Sequence, residues 1–131
     1  MTRRGTPEAD AQRAIVSALR IALPRDAIVH HCANEVTEAG PRGARRQAIL
    51  VGMGVHPGFA DLLVISEGRV LFLEVKSAKG RLRPAQDAFR DTVMKQGFGW
   101  ALVRSVDDAL AALADQGFTP RIAPPAQRAA P

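Results

Sequence analysis

The chain has 131 residues, 47% of them hydrophobic, with 18 Lys and Arg against 13 Asp and Glu and a single cysteine. That length and apolar content support a core of their own, which excludes a disordered or fibrous polypeptide, and one cysteine excludes an internal disulfide framework. The longest apolar run, residues 48–55, is interrupted by Gly52 and Gly54 and falls short of the roughly 20 residues of a membrane span, so a soluble domain over residues 1–118 is expected.

The first eight residues are basic but carry no apolar signal core, and a bacterial or phage-type cytoplasm is the expected compartment. From Pro7 to Leu23, Ala11, Ile15, Ala18, Leu19 and Ala22 form a helical stripe, with Thr6 as N-cap and Pro7 in the first turn. Pro24 ends that helix, and residues 27–32 form a short strand. A loop over 34–43 leads to a helix over 44–53, basic at its start and apolar later, and His56-Pro57-Gly58 is a turn.

Residues 61–66 and 69–76 are two nearly all-apolar strands joined by Glu67-Gly68, a central hairpin. A basic loop leads to Pro84, where a helix runs through Ala88, Phe89, Val93 and Met94 to a stop at Gly97. A strand over 100–104 precedes a last helix whose Leu110, Leu113 and Ala114 face the core. Pro-rich residues 119–131 form a frayed tail. The order α-β-α-β-β-α-β-α predicts an α/β fold with a mixed central sheet flanked by helices.

The hairpin carries the chemistry. With Glu67 and Gly68 as its two loop residues, Ser66 opposes Arg69, and continuing the register sets Asp61 opposite Glu74. Lys76 shares their face, two residues along from Glu74. Two like charges directly opposed within apolar strands need a counter-charge, and a divalent metal bridging the carboxylates is the natural one. A Glu-x-Lys pattern alone also suits the solvated end of a strand; the acid at the matching position of the partner strand is the second condition.

The net charge of +5 invites a polyanion, although an Arg-rich coding bias produces the same total. Placement says more. Arg42, Arg45 and Arg46 crowd one segment; Lys76, Lys79, Arg81 and Arg83 crowd another.

Gly54-Val55-His56-Pro57-Gly58-Phe59-Ala60-Asp61-Leu62-Leu63, Phe72-Leu73-Glu74-Val75-Lys76 and Gly80-Arg81-Leu82-Arg83-Pro84-Ala85-Gln86 together resemble the VRR-NUC nucleases of the PD-(D/E)xK superfamily, in particular the short stand-alone members of phages and bacteria. Ala60 departs from the Pro that usually precedes the catalytic Asp, a change in turn rigidity rather than in chemistry. The resemblance implies a restriction-endonuclease-like α-β-β-β-α-β core and metal-dependent cleavage of DNA. Asp61, Glu74 and the Val75 carbonyl would hold Mg²⁺ or Mn²⁺, Lys76 would orient or deprotonate water or hold the phosphate, and Gln86 would steady the site. Glu8 would approach the metal from the first helix, although a first-turn Glu is also favoured by the helix dipole. Arg42, Arg45, Arg46, Lys79, Arg81 and Arg83 would track phosphates. Stand-alone relatives act as dimers on branched DNA such as four-way junctions, so a homodimer is implied.

Other polar residues read more plainly. On a strand His31 points away from His30 and Cys32, and no second zinc-spaced ligand pair accompanies them. His56, Asn34 and Glu35 suit loops, and Trp100 suits a core or an interface. The rival reading is a non-catalytic DNA-binding or assembly module on the same fold; the intact Asp61, Glu74 and Lys76 argue against it.

Overall fold

Thr6 accepts a hydrogen bond from the Ala9 N–H at 3.1 Å and Pro7 occupies the first turn, so α1 (Pro7–Ala22) starts where its orphan amides are best satisfied. The computed structural model describes residues 6–33 and 39–121; Asn34, Glu35 and the segment 122–131 lie outside the described residues. Ile15 and Leu19 of α1 are fully buried, as the stripe requires. The remaining elements are β1 (Ile28–His31), α2 (Gly40–Gly52), β2 (Leu62–Ser66), β3 (Arg69–Val75), α3 (Pro84–Lys95), β4 (Gly99–Val103) and α4 (Val106–Asp115).

The sheet order is β1-β2-β3-β4. β1 and β3 run antiparallel to β2, and β4 joins β3 in parallel after the α3 crossover, which makes the sheet mixed. Glu67 and Gly68 both have positive φ, 51° and 77°, and this tight two-residue turn sets Ser66 against Arg69 and Leu62 against Leu73.

Alternation along the strands gives the sheet two apolar faces. Leu62, Val64, Leu71, Leu73, Val75 and Val103 pack with Ile15 and Leu19 of α1 and Ala109, Ala112 and Leu113 of α4. Phe72 packs on the other face with Phe89 and Val93 of α3. There the Phe72 and Phe89 rings meet edge to face at 5.4 Å, with Phe59 4.7 Å from Phe89, a geometry that aromatic quadrupoles favour.

Three details differ from the sequence expectation. α2 begins at Gly40 rather than Ala44, because Pro41 sits in its first turn, where a missing N–H costs nothing. α4 is rotated: Ala109, Ala112 and Leu113 face inward while Leu110 is exposed and Ala114 faces water, since the alanines let the helix sit close to the sheet. Arg121, in the segment expected to fray, is tied to the end of α1: its N–H bonds the Ala22 carbonyl at 2.7 Å and its Nε bonds the Leu23 carbonyl at 2.8 Å. Among the described residues no helix is long and apolar enough to cross a membrane.

Candidate functional site

Asp61 is the residue immediately before β2, one step beyond the last ladder pair, Leu62 with Leu73. Its carbonyl accepts the Cys32 N–H at 2.8 Å, which anchors it to the β1 side. Its carboxylate turns toward β3, where Oδ2 accepts the Val75 N–H at 2.8 Å. The acid expected opposite Glu74 therefore caps the backbone one residue beyond Glu74. Asp61, Glu74, Lys76 and Gln86 are all buried, with exposures of 5, 1, 5 and 4%.

Gln86 is the third residue of α3, and both ends of its amide are engaged. Oε1 accepts the Arg83 N–H at 2.9 Å, closing the first turn in the manner of a capping box, and Nε2 donates to Glu74 Oε1 at 2.8 Å. Lys76 Nζ lies 3.8 Å from the same oxygen. A single carboxylate oxygen thus gathers an amide from α3 and an ammonium from the end of β3.

Gly58 explains how α3 reaches the sheet here. Its φ is +76°, and a Cβ at this position would lie 2.1 Å from the Ala85 carbonyl oxygen. Only glycine lets the turn that enters Asp61 touch the backbone of the helix that carries Gln86. His56, in the same turn, is exposed and sets its ring 5.7 Å from Phe89.

The other sequence candidates are distributed more widely. Lys79 and Arg81 are exposed on the loop between Lys76 and α3, and Arg83 is the N-cap of α3. Arg42, Arg45 and Arg46 are exposed on α2, whose Gly43 is buried and Gln47 half-buried. Glu8 is half-buried in the first turn of α1; among the described residues no three His, Cys, Asp or Glu side chains gather into a metal-binding group, so it does not join Asp61 and Glu74 as a third acid. Trp100 is half-buried on the α3 face, with the Arg90 guanidinium 5.7 Å over its ring. Burial raises the pKa of the Cys32 thiol, and the charge of Asp61 raises it further.

Sequence patterning marks Arg104 only as the end of a strand and misses what it holds. Its guanidinium binds the Ser77 carbonyl and, at 2.8 Å, the Gly80 carbonyl, in the turn that follows Lys76. No local pattern announces a contact between residues this far apart in the chain.

Residues 9–107 match the family model of the VRR-NUC domain. The chain belongs to the VRR-NUC family. A VRR_NUC domain protein of known structure aligns with a TM-score of 0.60 and 19% identity, over 88% of this chain and 91% of that one, so the two share a fold. No curated protein matches. The VRR-NUC match contains Asp61, Glu74, Lys76 and Gln86 and begins one residue after Glu8. Membership of the VRR-NUC family makes this a DNA-processing domain of nuclease type.

Proposed function

We propose that this VRR-NUC domain is a divalent-metal-dependent endodeoxyribonuclease that hydrolyses phosphodiester bonds, preferentially in branched DNA such as four-way junctions or flaps. The observation that carries the reading is the burial of Asp61, Glu74 and Lys76 at one end of the β2-β3 hairpin, where Asp61 Oδ2 accepts the Val75 N–H and Lys76 Nζ lies 3.8 Å from Glu74 Oε1.

The donor set fits a hard divalent cation, which prefers carboxylate and carbonyl oxygens over nitrogen or sulfur. Asp61, Glu74 and the Val75 carbonyl would hold Mg²⁺ or Mn²⁺, whose contribution is to lower the pKa of water and to offset charge growing on the phosphate.

The rest is done by the chain. Asp61 and Glu74 are buried before any substrate arrives and are held by the Val75 N–H and the Gln86 amide, so little reorganisation accompanies the reaction. Lys76 sets its amine beside Glu74, where as an ammonium it would orient the attacking water or hold a non-bridging oxygen of the scissile phosphate and as a neutral amine would take a proton from that water. Lys79, Arg81 and Arg83 flank the site and would contact neighbouring phosphates, with Arg42, Arg45 and Arg46 extending the track. Such contacts position DNA without reading its sequence.

The assembly we propose is a homodimer, because a domain this small has limited surface with which to hold a branched duplex. The exposed Ile49 and Met53, one turn apart at the end of α2, favour burial against a partner. Sedimentation analysis checks the dimer.

Labelled four-way junction, flap and plain duplex incubated with Mg²⁺, Mn²⁺ or EDTA test the function. Metal-dependent cutting that is faster on the branched forms is expected. Equal cutting of all three would remove the structural preference, and binding without cutting under either metal would contradict the nuclease.

A further inference from the structure

We propose that Arg104 is a positioning residue for Lys76, acting through the turn formed by residues 77–80; the inference rests on the nuclease reading of Lys76. Parallel pairing of β4 with β3 carries the chain past Val103, whose carbonyl accepts the Lys76 N–H at 3.1 Å. Arg104 therefore leaves the sheet beside Lys76. The turn after Lys76 is closed by the Gly80 N–H on the Ser77 carbonyl at 3.0 Å. One guanidinium nitrogen of Arg104 binds both carbonyls at the ends of that turn.

The strapped turn is a wall for the lysine. A Cβ at Gly80 would lie 3.3 Å from Lys76 Cβ and 3.4 Å from Cδ, so the Gly80 backbone packs along the lysine stem. Glu74 Oε1 lies at the other end, 3.8 Å from Nζ. A lysine side chain has four rotatable bonds and loses rotamer entropy when immobilised; confinement of the stem holds the amine toward Glu74. The strap is itself anchored, because the Arg104 N–H bonds Asp108 Oδ2 at 2.9 Å and the Asp108 N–H bonds the capping hydroxyl of Ser105 at 3.1 Å. Arg104 thus transmits the rigid start of α4 to the turn behind Lys76. A guanidinium is well matched to the two carbonyls, since it stays charged and presents several donors in a fixed plane.

A double-mutant cycle in single-turnover cleavage tests the proposal, with Arg104→Ala made in the parent and in Lys76→Ala. Arg104→Ala is expected to slow cleavage roughly tenfold to a hundredfold in the parent and less than about threefold in Lys76→Ala, as two groups acting as one unit require. DNA binding in Ca²⁺ should stay within about twofold, and Arg104→Lys should recover part of the rate, since an ammonium can also donate to the two carbonyls. A second readout needs neither metal nor DNA. The chain has only three lysines, Lys76, Lys79 and Lys95, so lysine-labelled NMR resolves the Lys76 methylene next to Nζ; its shift should move toward that of the exposed lysines in Arg104→Ala and return in Arg104→Lys. Equal losses in both backgrounds, or an unmoved Lys76 signal, would overturn the proposal. Absence of metal-dependent cutting by the parent would instead sink the nuclease reading, and cutting at the parent rate by Asp61→Asn the assignment of Asp61; the NMR result stands in either case.

Discussion

The Gln86 amide and the Glu74 carboxylate are joined by a 2.8 Å hydrogen bond that ties the first turn of α3 to β3 with both groups buried. Removing the amide leaves a buried carboxylate short of a donor, at a cost of about 1–3 kcal/mol. Gln86→Leu should lose that much stability in urea denaturation, and Gln86→Glu should lose more, because two carboxylates would then meet. A change below about 0.5 kcal/mol for both variants would mean that the bond does not hold the site together.

The contact between Gly58 and Ala85 makes a separate prediction. A methyl group at position 58 would lie 2.1 Å from a backbone oxygen, on a residue whose φ is +76°. Gly58→Ala should therefore destabilise the fold by at least about 1–3 kcal/mol and lower the melting temperature by several degrees. An unchanged melting curve would contradict the close approach of the turn and α3.

Cys32 offers a chemical probe of Asp61. Burial is the larger cause of its raised pKa and the Asp61 charge the smaller. Deprotonation of the thiol therefore sets in at higher pH than for an ordinary cysteine, and iodoacetamide should alkylate Cys32 more slowly than a cysteine peptide near pH 8. Asp61→Asn removes the charge and should speed alkylation at fixed pH. A slower or identical rate in that variant would place the charge of Asp61 away from the thiol.

DNA affinity should depend on salt. Each phosphate contact contributes a slope of about 0.9 in log affinity against log salt on duplex DNA. Arg81→Ala should weaken junction and duplex binding alike and reduce that slope by about one unit; an unchanged slope would remove Arg81 from the phosphate track.

The parts of the fold governed by local rules were legible. Glu67-Gly68 sets the hairpin register, period-2 alternation brings Glu74 and Lys76 to one face, and Thr6-Pro7 starts α1. The missed parts depend on tertiary approach. Gly40-Pro41-Arg42-Gly43 reads as a loop until Pro41 is recognised as a first-turn residue, and α4 turns its alanines inward because close packing outweighs the larger Leu110. At the candidate site, the facing of Asp61 and Glu74 could be argued from register, yet the bond from Asp61 to the Val75 N–H lies beyond the ladder, where register no longer rules. The Arg104 strap joins side chain to backbone across a long stretch of chain, and such bonds leave no periodic trace.

The central claim is that Asp61 and Glu74 form the hydrolytic centre, and single-turnover cleavage beside DNA binding tests it most directly. Asp61→Asn and Glu74→Gln should each slow Mg²⁺-dependent cutting by at least about a hundredfold, the scale expected for loss of a group that acts in the transition state, with binding affinity kept within a few-fold. Cutting at the parent rate by both variants would contradict the account.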